Sequence, residues 1–248
     1  MNLLSPTNHK LLKGRAVHKD ILAVGMHLAP ADLAGGKTVC QWSTRECRRL
    51  CLNVSGRGQI SIPLFMGEDK VKRYEALMKH KIHAARIRKT QYWLNNRNDF
   101  IAKLCGEIYR WDRKAKREGK KLAVRLNLTS DVQWEDHIDM YQFPNVQFYD
   151  YTKGEDRYLR FQHGLNFPSN YHLTFSRGEH TKLETIAHIL KHGGTVAVVF
   201  DKPPRVWYTY PVIDGDKHDY RFLDPKGCIV GLTPKGRAKR SEGRFVLR

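Results

Sequence analysis

Six short apolar segments, five of them followed by a polar cluster, constrain the fold of this chain most strongly. They are ILAVGMHL (21–28), LAVRLNL (122–128), VQFYDY (146–151), YHLTF (171–175), TVAVVF (195–200) and CIVGL (228–232). Continuous apolar runs of this length are typical of strands buried on both faces, as in parallel sheets. Helical or loop stretches separate them, and this alternation predicts an α/β fold. We therefore predict a single α/β domain over residues 1–248, built as a partial or distorted TIM-like (β/α) barrel.

The long interval between the first and second of these segments is predicted to hold a basic helical insertion. Apolar residues recur there at helical spacing in two stretches, so we expect a helical pair within residues 66–120. Residues 70–120 contain sixteen Lys and Arg against five Asp and Glu. A solvated helix face and a phosphate-tracking surface both explain this excess, and its concentration favours the second. The preceding segment, 59–65, reads as a strand or an extended arm.

The charge of the whole chain indicates the class of partner. There are 44 Lys and Arg against 25 Asp and Glu, giving a formal net charge of +19. Such a field attracts polyanions and speeds their encounter with the protein. We therefore predict nucleic acid as the partner, and DNA in the first place. The cations expected to contact it are Arg57, Arg86, Arg88, Lys89, Lys153 and Arg177.

The sequence also carries expectations about location. No apolar run reaches the roughly 18 residues that a membrane helix needs. The N-terminal segment MNLLSPTNHKLLKGR lacks the apolar core of a signal peptide. Five cysteines are an odd count, which argues against a disulfide framework and for a reducing compartment. We therefore expect a soluble cytoplasmic protein with no membrane partner.

Three cysteines lie close together early in the chain. Cys40, Cys47 and Cys51 follow the pattern Cys-x6-Cys-x3-Cys. Three thiols within twelve residues can reach one metal, and thiolates suit zinc or an iron–sulfur cluster. A fourth position would be open to Cys228, a histidine or an external ligand. The alternative is a chance cluster of buried cysteines. The spacing differs from that of standard zinc fingers, but its place after the first strand is where radical enzymes that use S-adenosylmethionine carry their cluster.

Two aspartates at predicted strand ends are candidates for catalysis. Asp131 follows the second apolar segment beside Thr129 and Ser130, and Asp150 lies between two tyrosines at the end of the third. A carboxylate at the carboxyl end of a strand can act as a nucleophile or a general base. Glycosidic-bond chemistry uses such a pair. Capping of a following helix is the alternative for Asp131, and an ion pair with Lys153 is the alternative for Asp150.

With these residues in view, the chain resembles a family of uncharacterised bacteriophage proteins. The resemblance covers roughly residues 21–240. Its motifs are Cys47-x3-Cys51-Leu52 with Gly56-Arg57-Gly58, Arg86-Ile-Arg-Lys-Thr90, Arg125-Leu-Asn127 with Thr129-Ser-Asp131 and Trp134-Glu135, Phe148-Tyr-Asp-Tyr-Thr-Lys153, Asn170-Tyr-His-Leu-Thr-Phe-Ser176, and Gly215-Asp216 to Asp224-Pro225. For a phage protein, the expected location is the host cytoplasm.

Some phage proteins of this kind look similar to tRNA-guanine transglycosylases, which in phages put 7-deazaguanine bases into DNA. That resemblance implies an α/β barrel, a three-cysteine metal site, two catalytic aspartates and a modified-base substrate. The transglycosylase metal motif is Cys-x-Cys-x2-Cys and lies late in the chain, whereas the cysteines here lie early. Two other functions remain open from the residues: an iron–sulfur, radical S-adenosylmethionine-like enzyme that modifies nucleic acid, and a non-catalytic nucleic-acid-binding protein.

Overall fold

The computed structural model describes residues 1–60 and 69–248, which form an α/β fold around one large sheet. Its strands are β1 (Leu4–Ser5), β2 (Ile21–Met26), β3 (Lys121–Arg125), β4 (Val146–Thr152), β5 (Tyr171–Ser176), β6 (Val196–Phe200), β7 (Val206–Trp207), β8 (Tyr210–Asp214), β9 (Ile229–Leu232) and β10 (Val246–Leu247). Its helices are α1 (His9–Val17), α2 (Arg45–Arg49), α3 (Lys70–Lys79), α4 (Lys81–Asn95), α5 (Arg97–Arg117), α6 (Glu155–Gln162) and α7 (Leu183–Lys191).

The six predicted strands are β2, β3, β4, β5, β6 and β9, and they lie side by side in that order. All five pairings between them are parallel, which confirms the mostly parallel α/β fold. β8 adds a further parallel strand beside β9, and β10 pairs with the end of β6.

The sheet is open in the described part of the chain, so the barrel prediction is not confirmed. At one edge, β1 pairs antiparallel with β2, and at the other, β7 pairs antiparallel with β8. No pairing among the described strands joins these two edges. A barrel closes only when its first and last strands pair with each other. Here a two-residue antiparallel strand occupies each of those positions instead.

The two faces of the sheet are covered differently. Leu122 and Val124 of β3 face the main core, where Leu104 and Ile108 of α5 pack against them. The opposite face packs against α1 and the segment after β8, which contribute residues such as Leu11 and Tyr220. Both faces are therefore buried, which is why the strands read as continuous apolar runs.

The basic region forms three helices where the sequence predicts two. α3 and α4 are separated at His80, whose backbone is extended (φ −93°, ψ 112°). No glycine or proline marks this break, so the apolar spacing continues through it. Residues 61–65 of the predicted strand or arm, and residues 66–68 of the predicted insertion, lie outside the described residues. Within the described residues, no helix has both the length and the apolar character needed to cross a membrane.

Candidate functional site

The cysteine segment lies across the carboxyl ends of the central strands. Cys40 forms an isolated parallel bridge with Asp131 in the loop after β3, and the Asp131 N–H donates to the Val39 carbonyl at 2.8 Å. Trp42 lies against Gly154 just beyond β4. A Cβ atom on Gly154 would lie 2.5 Å from the Trp42 ring, so only glycine permits this approach. The segment is thus fixed on the edge of the sheet where α/β folds place their chemistry.

Helix α2 brings the second and third cysteines to this edge. Thr44 caps the helix, and its hydroxyl oxygen accepts from the Cys47 N–H at 3.2 Å. Glu179, which follows β5, accepts from the Glu46 N–H at 3.0 Å and from the Thr44 hydroxyl. Cys51 comes two residues after the end of α2. A carboxylate from a neighbouring strand end therefore holds the start of this short helix in place.

The three cysteines are free and largely shielded from solvent, with Cys40 buried. Burial raises the pKa of each thiol, to about 12 for Cys51, and charges on Cys51 and Cys47 raise that of Cys40 further. The three thiols thus lie within electrostatic range of one another. The Cys40 sulfur accepts from the Ala31 N–H at 3.3 Å. Among residues 1–60 and 69–248, no group of three or more His, Cys, Asp or Glu side chains is arranged to hold a metal ion. Metal binding at the thiols therefore requires their side chains to reorient.

Lys153 is a cation turned toward this site. Its Nζ donates to the Ser176 carbonyl at 3.2 Å, to the Ser176 hydroxyl at 3.0 Å and to the Arg177 carbonyl at 2.9 Å. Burial lowers the pKa of Lys153, and negative charge on Cys47 is the largest effect that opposes this. The sequence predicts Lys153 as a phosphate contact, whereas the structure places its ammonium against oxygens of Ser176 and Arg177, within electrostatic range of Cys47.

Arg86 approaches the thiols from α4. Its Nη1 donates to the Asn53 carbonyl at 2.9 Å and to the Asn53 side-chain oxygen at 2.6 Å. Burial lowers the pKa of Arg86 to about 10, and negative charge on Cys51 opposes that shift. The Arg86 Nε is buried and has no hydrogen-bond partner among the described residues. This guanidinium therefore anchors the backbone just after Cys51 and supplies positive charge to it.

The other predicted phosphate contacts divide into internal and exposed residues. Lys89 donates to the Leu3 carbonyl at 2.9 Å, and Arg177 donates through Nη1 to a carbonyl of the C-terminal segment at 2.9 Å. Arg57 and Arg88 are exposed. Arg57 Nη2 also donates to the Thr7 carbonyl, at 3.5 Å. With Lys153 and Arg86, five of the six predicted cations thus donate to the protein's own oxygens.

Asp150 lies inside the protein, where its side chain is 1% exposed. Its Oδ1 accepts from the Asn127 N–H at 2.7 Å, and its Oδ2 accepts from the Asn127 side-chain amide at 3.2 Å and the Tyr171 hydroxyl at 3.0 Å. Burial raises the pKa of Asp150 to about 7, against the opposing effect of nearby arginines. Its acceptors are used by the protein, and Lys153 is not among its hydrogen-bond partners.

Asp131 lies nearer the surface, in a network with Arg157. Its Oδ1 accepts from Arg157 Nη1 at 2.8 Å, and its Oδ2 accepts from the Lys153 N–H at 2.9 Å. Asp131 therefore holds the end of β4 and does not cap a helix. Arg157 also forms a two-pronged pair with Glu135 at 2.7 and 2.6 Å and donates to the Tyr171 hydroxyl at 2.8 Å. Since Tyr171 donates to Asp150, one network joins both predicted aspartates.

Three residues of this network carry no sequence signal of a functional role: Arg157, Tyr171 and Asn127. Arg157 is fully buried and pairs with Asp131 and Glu135. The only sequence signal of this burial is the presence of acidic residues with which an arginine could pair. Asn127 organises the loop after β3, because its side-chain oxygen accepts from the Ser130 hydroxyl and the Val132 N–H at 2.8 and 2.9 Å. These residues shape the loop that carries Asp131.

Comparison with known proteins gives one match. No curated protein and no solved structure matches the chain. The model of a phage-type family described as Gene product 88 matches residues 2–248. This agrees with the resemblance to bacteriophage proteins. Because the match spans nearly the whole sequence, the chain belongs to the Gene product 88 family.

Proposed function

We propose that this protein is an iron–sulfur enzyme that modifies nucleic acid, with the cluster held by Cys40, Cys47 and Cys51. The observation that carries the proposal is that the segment with three free thiols lies at the carboxyl edge of the sheet, where Cys40 bridges to Asp131. Six parallel strands follow one another in order across that sheet. This position resembles that of the cluster in radical enzymes that use S-adenosylmethionine.

The charges around the thiols fit a thiolate-bound metal group. Three thiolates that bind a divalent metal or a cluster leave a net negative charge in a place where burial penalises charge. Arg86 and Lys153 direct positive charge at Cys51 and Cys47, respectively. Without bound metal, the thiols are neutral because their pKa values are raised, and these cations then face uncharged sulfur. Metal binding would ionise the thiols, and the positive charges of Arg86 and Lys153 would then balance part of the negative charge of the thiolates.

The donor set favours iron–sulfur chemistry. Thiolates are the usual ligands of iron–sulfur clusters, which normally take four of them. Three ligands leave one position open, and an open position lets a small molecule bind the metal directly. When bound, such a cluster would supply electron transfer. The protein would contribute the three sulfurs, the two cations and the loop that carries Asp131.

Nucleic acid is the proposed substrate because of charge. The chain has a net charge of +19, and sixteen Lys and Arg lie within residues 70–120. α5 alone is 21 residues long and exposes cations along its last two turns. A surface of this kind binds phosphates with an affinity that falls steeply with salt.

The test is metal and sulfide analysis of protein purified without oxygen, together with its visible spectrum. We expect a brown protein that contains iron and acid-labile sulfide. A variant with Cys40, Cys47 and Cys51 all changed to Ser should lose both. Cys105→Ser is the matched control, since Cys105 is also a free, partly buried cysteine but lies on α5. Colourless, metal-free wild-type protein, or a triple variant that keeps its iron, would overturn the proposal.

Guanine exchange in DNA, with a structural zinc at the cysteines, is the second candidate function. The observation in its favour is that Asp131 and Asp150 share one hydrogen-bond network through Arg157 and Tyr171. Because Asp150 is 1% exposed, Asp131 is the carboxylate that a sugar carbon could reach. A colourless protein that contains zinc and incorporates labelled guanine into DNA, and loses this activity in Asp131→Asn, would establish this function instead. Metal-free protein that binds DNA without modifying it would indicate a binding protein.

A further inference from the structure

A cavity of about 410 Å³ lies between the loop after β2 and the junction of α4 with α5. Six of the residues that line it matter here: Gly35, Gly36, Lys37, Gln91, Asn95 and Arg97. Small-molecule sites in proteins occupy roughly 300–1,000 Å³, so a nucleotide fits a space of this size. None of the residues used for the thiol site lines the cavity.

The lining has the chemistry of a phosphate site. Among the residues that the structure describes, the lining includes two exposed cations, Lys37 and Arg97, and two amides, but no Asp or Glu. Arg97 lies over the Trp93 ring, with its guanidinium carbon 4.5 Å from the ring centre, which limits where this cation can move. Gly35 and Gly36 have φ values of +77° and +72°, and an added Cβ at Gly35 would meet no atom within 4 Å. The glycines therefore keep this wall open.

The cavity wall and the thiol site belong to the same loop. Gln91 of α4 donates to the Ala34 carbonyl at 3.2 Å and so holds the loop at the cavity. Farther along, the Val39 N–H donates to the Ala31 carbonyl at 3.1 Å, and the Ala31 N–H contacts the Cys40 sulfur. A ligand in the cavity would therefore contact the segment that leads directly into the first cysteine.

We propose that this cavity binds one nucleotide of a nucleic-acid strand, with its phosphate between Lys37 and Arg97. The inference rests on the proposed function in one respect only, that nucleic acid is the substrate. Arginine and lysine bind phosphate as charge-assisted donors. Helices α4 and α5 line the cavity and belong to the basic region 70–120, so the rest of the strand would follow the surface with the largest excess of positive charge.

Fluorescence anisotropy with a labelled single-stranded oligonucleotide tests the proposal. We expect Lys37→Ala with Arg97→Ala to weaken binding at least about tenfold, or about 1.4 kcal/mol. The control pair is Lys202→Ala with Arg205→Ala, which removes the same charge from exposed positions between β6 and β7. This control should bind within about twofold of wild type. Equal losses in both pairs, or no loss in the cavity pair, would overturn the proposal.

Two further measurements keep the outcome clear. Lys37→Ala alone leaves the contact of Arg97 with Trp93 intact, so it tests the cavity even if the double variant unfolds. We expect this single change to weaken binding by at least about threefold, and wild-type affinity in the folded variant would contradict the proposal. Metal analysis of the same wild-type preparation separates the two proposals. If the wild type holds no iron but cavity-dependent binding persists, the iron–sulfur function fails and the nucleotide site stands.

Discussion

The buried Asp150 carboxyl makes a sharp prediction about stability and pH. In the folded protein its pKa is raised from the ordinary 3.8 to about 7, mainly by burial. The unfolded chain therefore loses this proton near pH 4, while the folded chain keeps it until about pH 7. Folding takes up a proton in that interval, so the contribution of Asp150 to stability falls as the pH rises from about 4 to about 7. Above pH 7 the effect is complete.

The size of the effect follows from the shift. A change from 3.8 to about 7 is about three pKa units, and each unit corresponds to about 1.4 kcal/mol. Ionised Asp150 thus costs up to about 4 kcal/mol in the folded state. Asn at this position cannot ionise, yet its oxygen can still accept from the Asn127 N–H. Asp150→Asn should therefore gain stability relative to wild type as the pH rises, by about 2–4 kcal/mol between pH 4 and pH 8.

Urea unfolding of wild type and Asp150→Asn at several pH values between 4 and 8 measures this difference directly. Other carboxyl groups titrate in both proteins, and the comparison removes their common effect. Asp156→Asn is the matched control, because it makes the same chemical change at an exposed position on α6. A constant difference between wild type and Asp150→Asn would show that Asp150 titrates normally in the folded protein, and the burial argument would be refuted.

Three further substitutions test the packing and the ion pairs by urea unfolding at pH 7. Gly194→Ala should destabilise the protein by about 1–3 kcal/mol, because the new Cβ would lie 2.4 Å from the Tyr158 hydroxyl oxygen; unchanged stability would mean that the two groups separate freely. Gly106→Ala meets no atom within 4 Å on α5 and should stabilise by about 0.5–1 kcal/mol, and a loss would contradict the open space described there. Arg157→Met should cost about 3–5 kcal/mol, because it removes the two-pronged partner of the buried Glu135 carboxylate and leaves only the longer contact with Arg160 at 3.9 Å; a loss below about 1 kcal/mol would show that the pair contributes little.

The central strands could be predicted because a strand that is buried on both faces has a continuous run of apolar residues in its sequence. β6, VAVVF, has no polar residue, since helices pack on one side and other segments on the other. The edge strands leave no such pattern. β8 contains Pro211 and is exposed or half-buried at every residue, so it resembles a loop. β1, β7 and β10 have two residues each, too few to show any periodicity.

The site was predictable in position but not in its contacts. The thiols and Asp131 follow strands whose carboxyl ends share one edge, and this follows from a parallel sheet alone. The contact between Asp131 and Arg157 could not be predicted in this way, because it depends on where the first turn of α6 lies relative to the loop after β3. Sequence predicts the type of charge at a residue, whereas the direction of a long side chain depends on acceptors brought close by folding. Lys153 illustrates this, since its three acceptors belong to the end of β5.

Only part of the net charge of +19 is available for binding nucleic acid, because several cations lie inside the protein. Lys153 and Arg157 are held by oxygens of the protein, so they stabilise the carboxyl edge and are not available to phosphates. The field that an approaching strand meets therefore comes from exposed cations, such as Arg88 of α4 and the last turns of α5. This division explains why replacing Arg86 should damage the cysteine segment, through Asn53, before it alters the affinity for nucleic acid. Exposed cations also line the cavity at the α4–α5 junction, next to the loop that leads to the thiols. A strand bound there by its charge would lie close to the proposed site of chemistry.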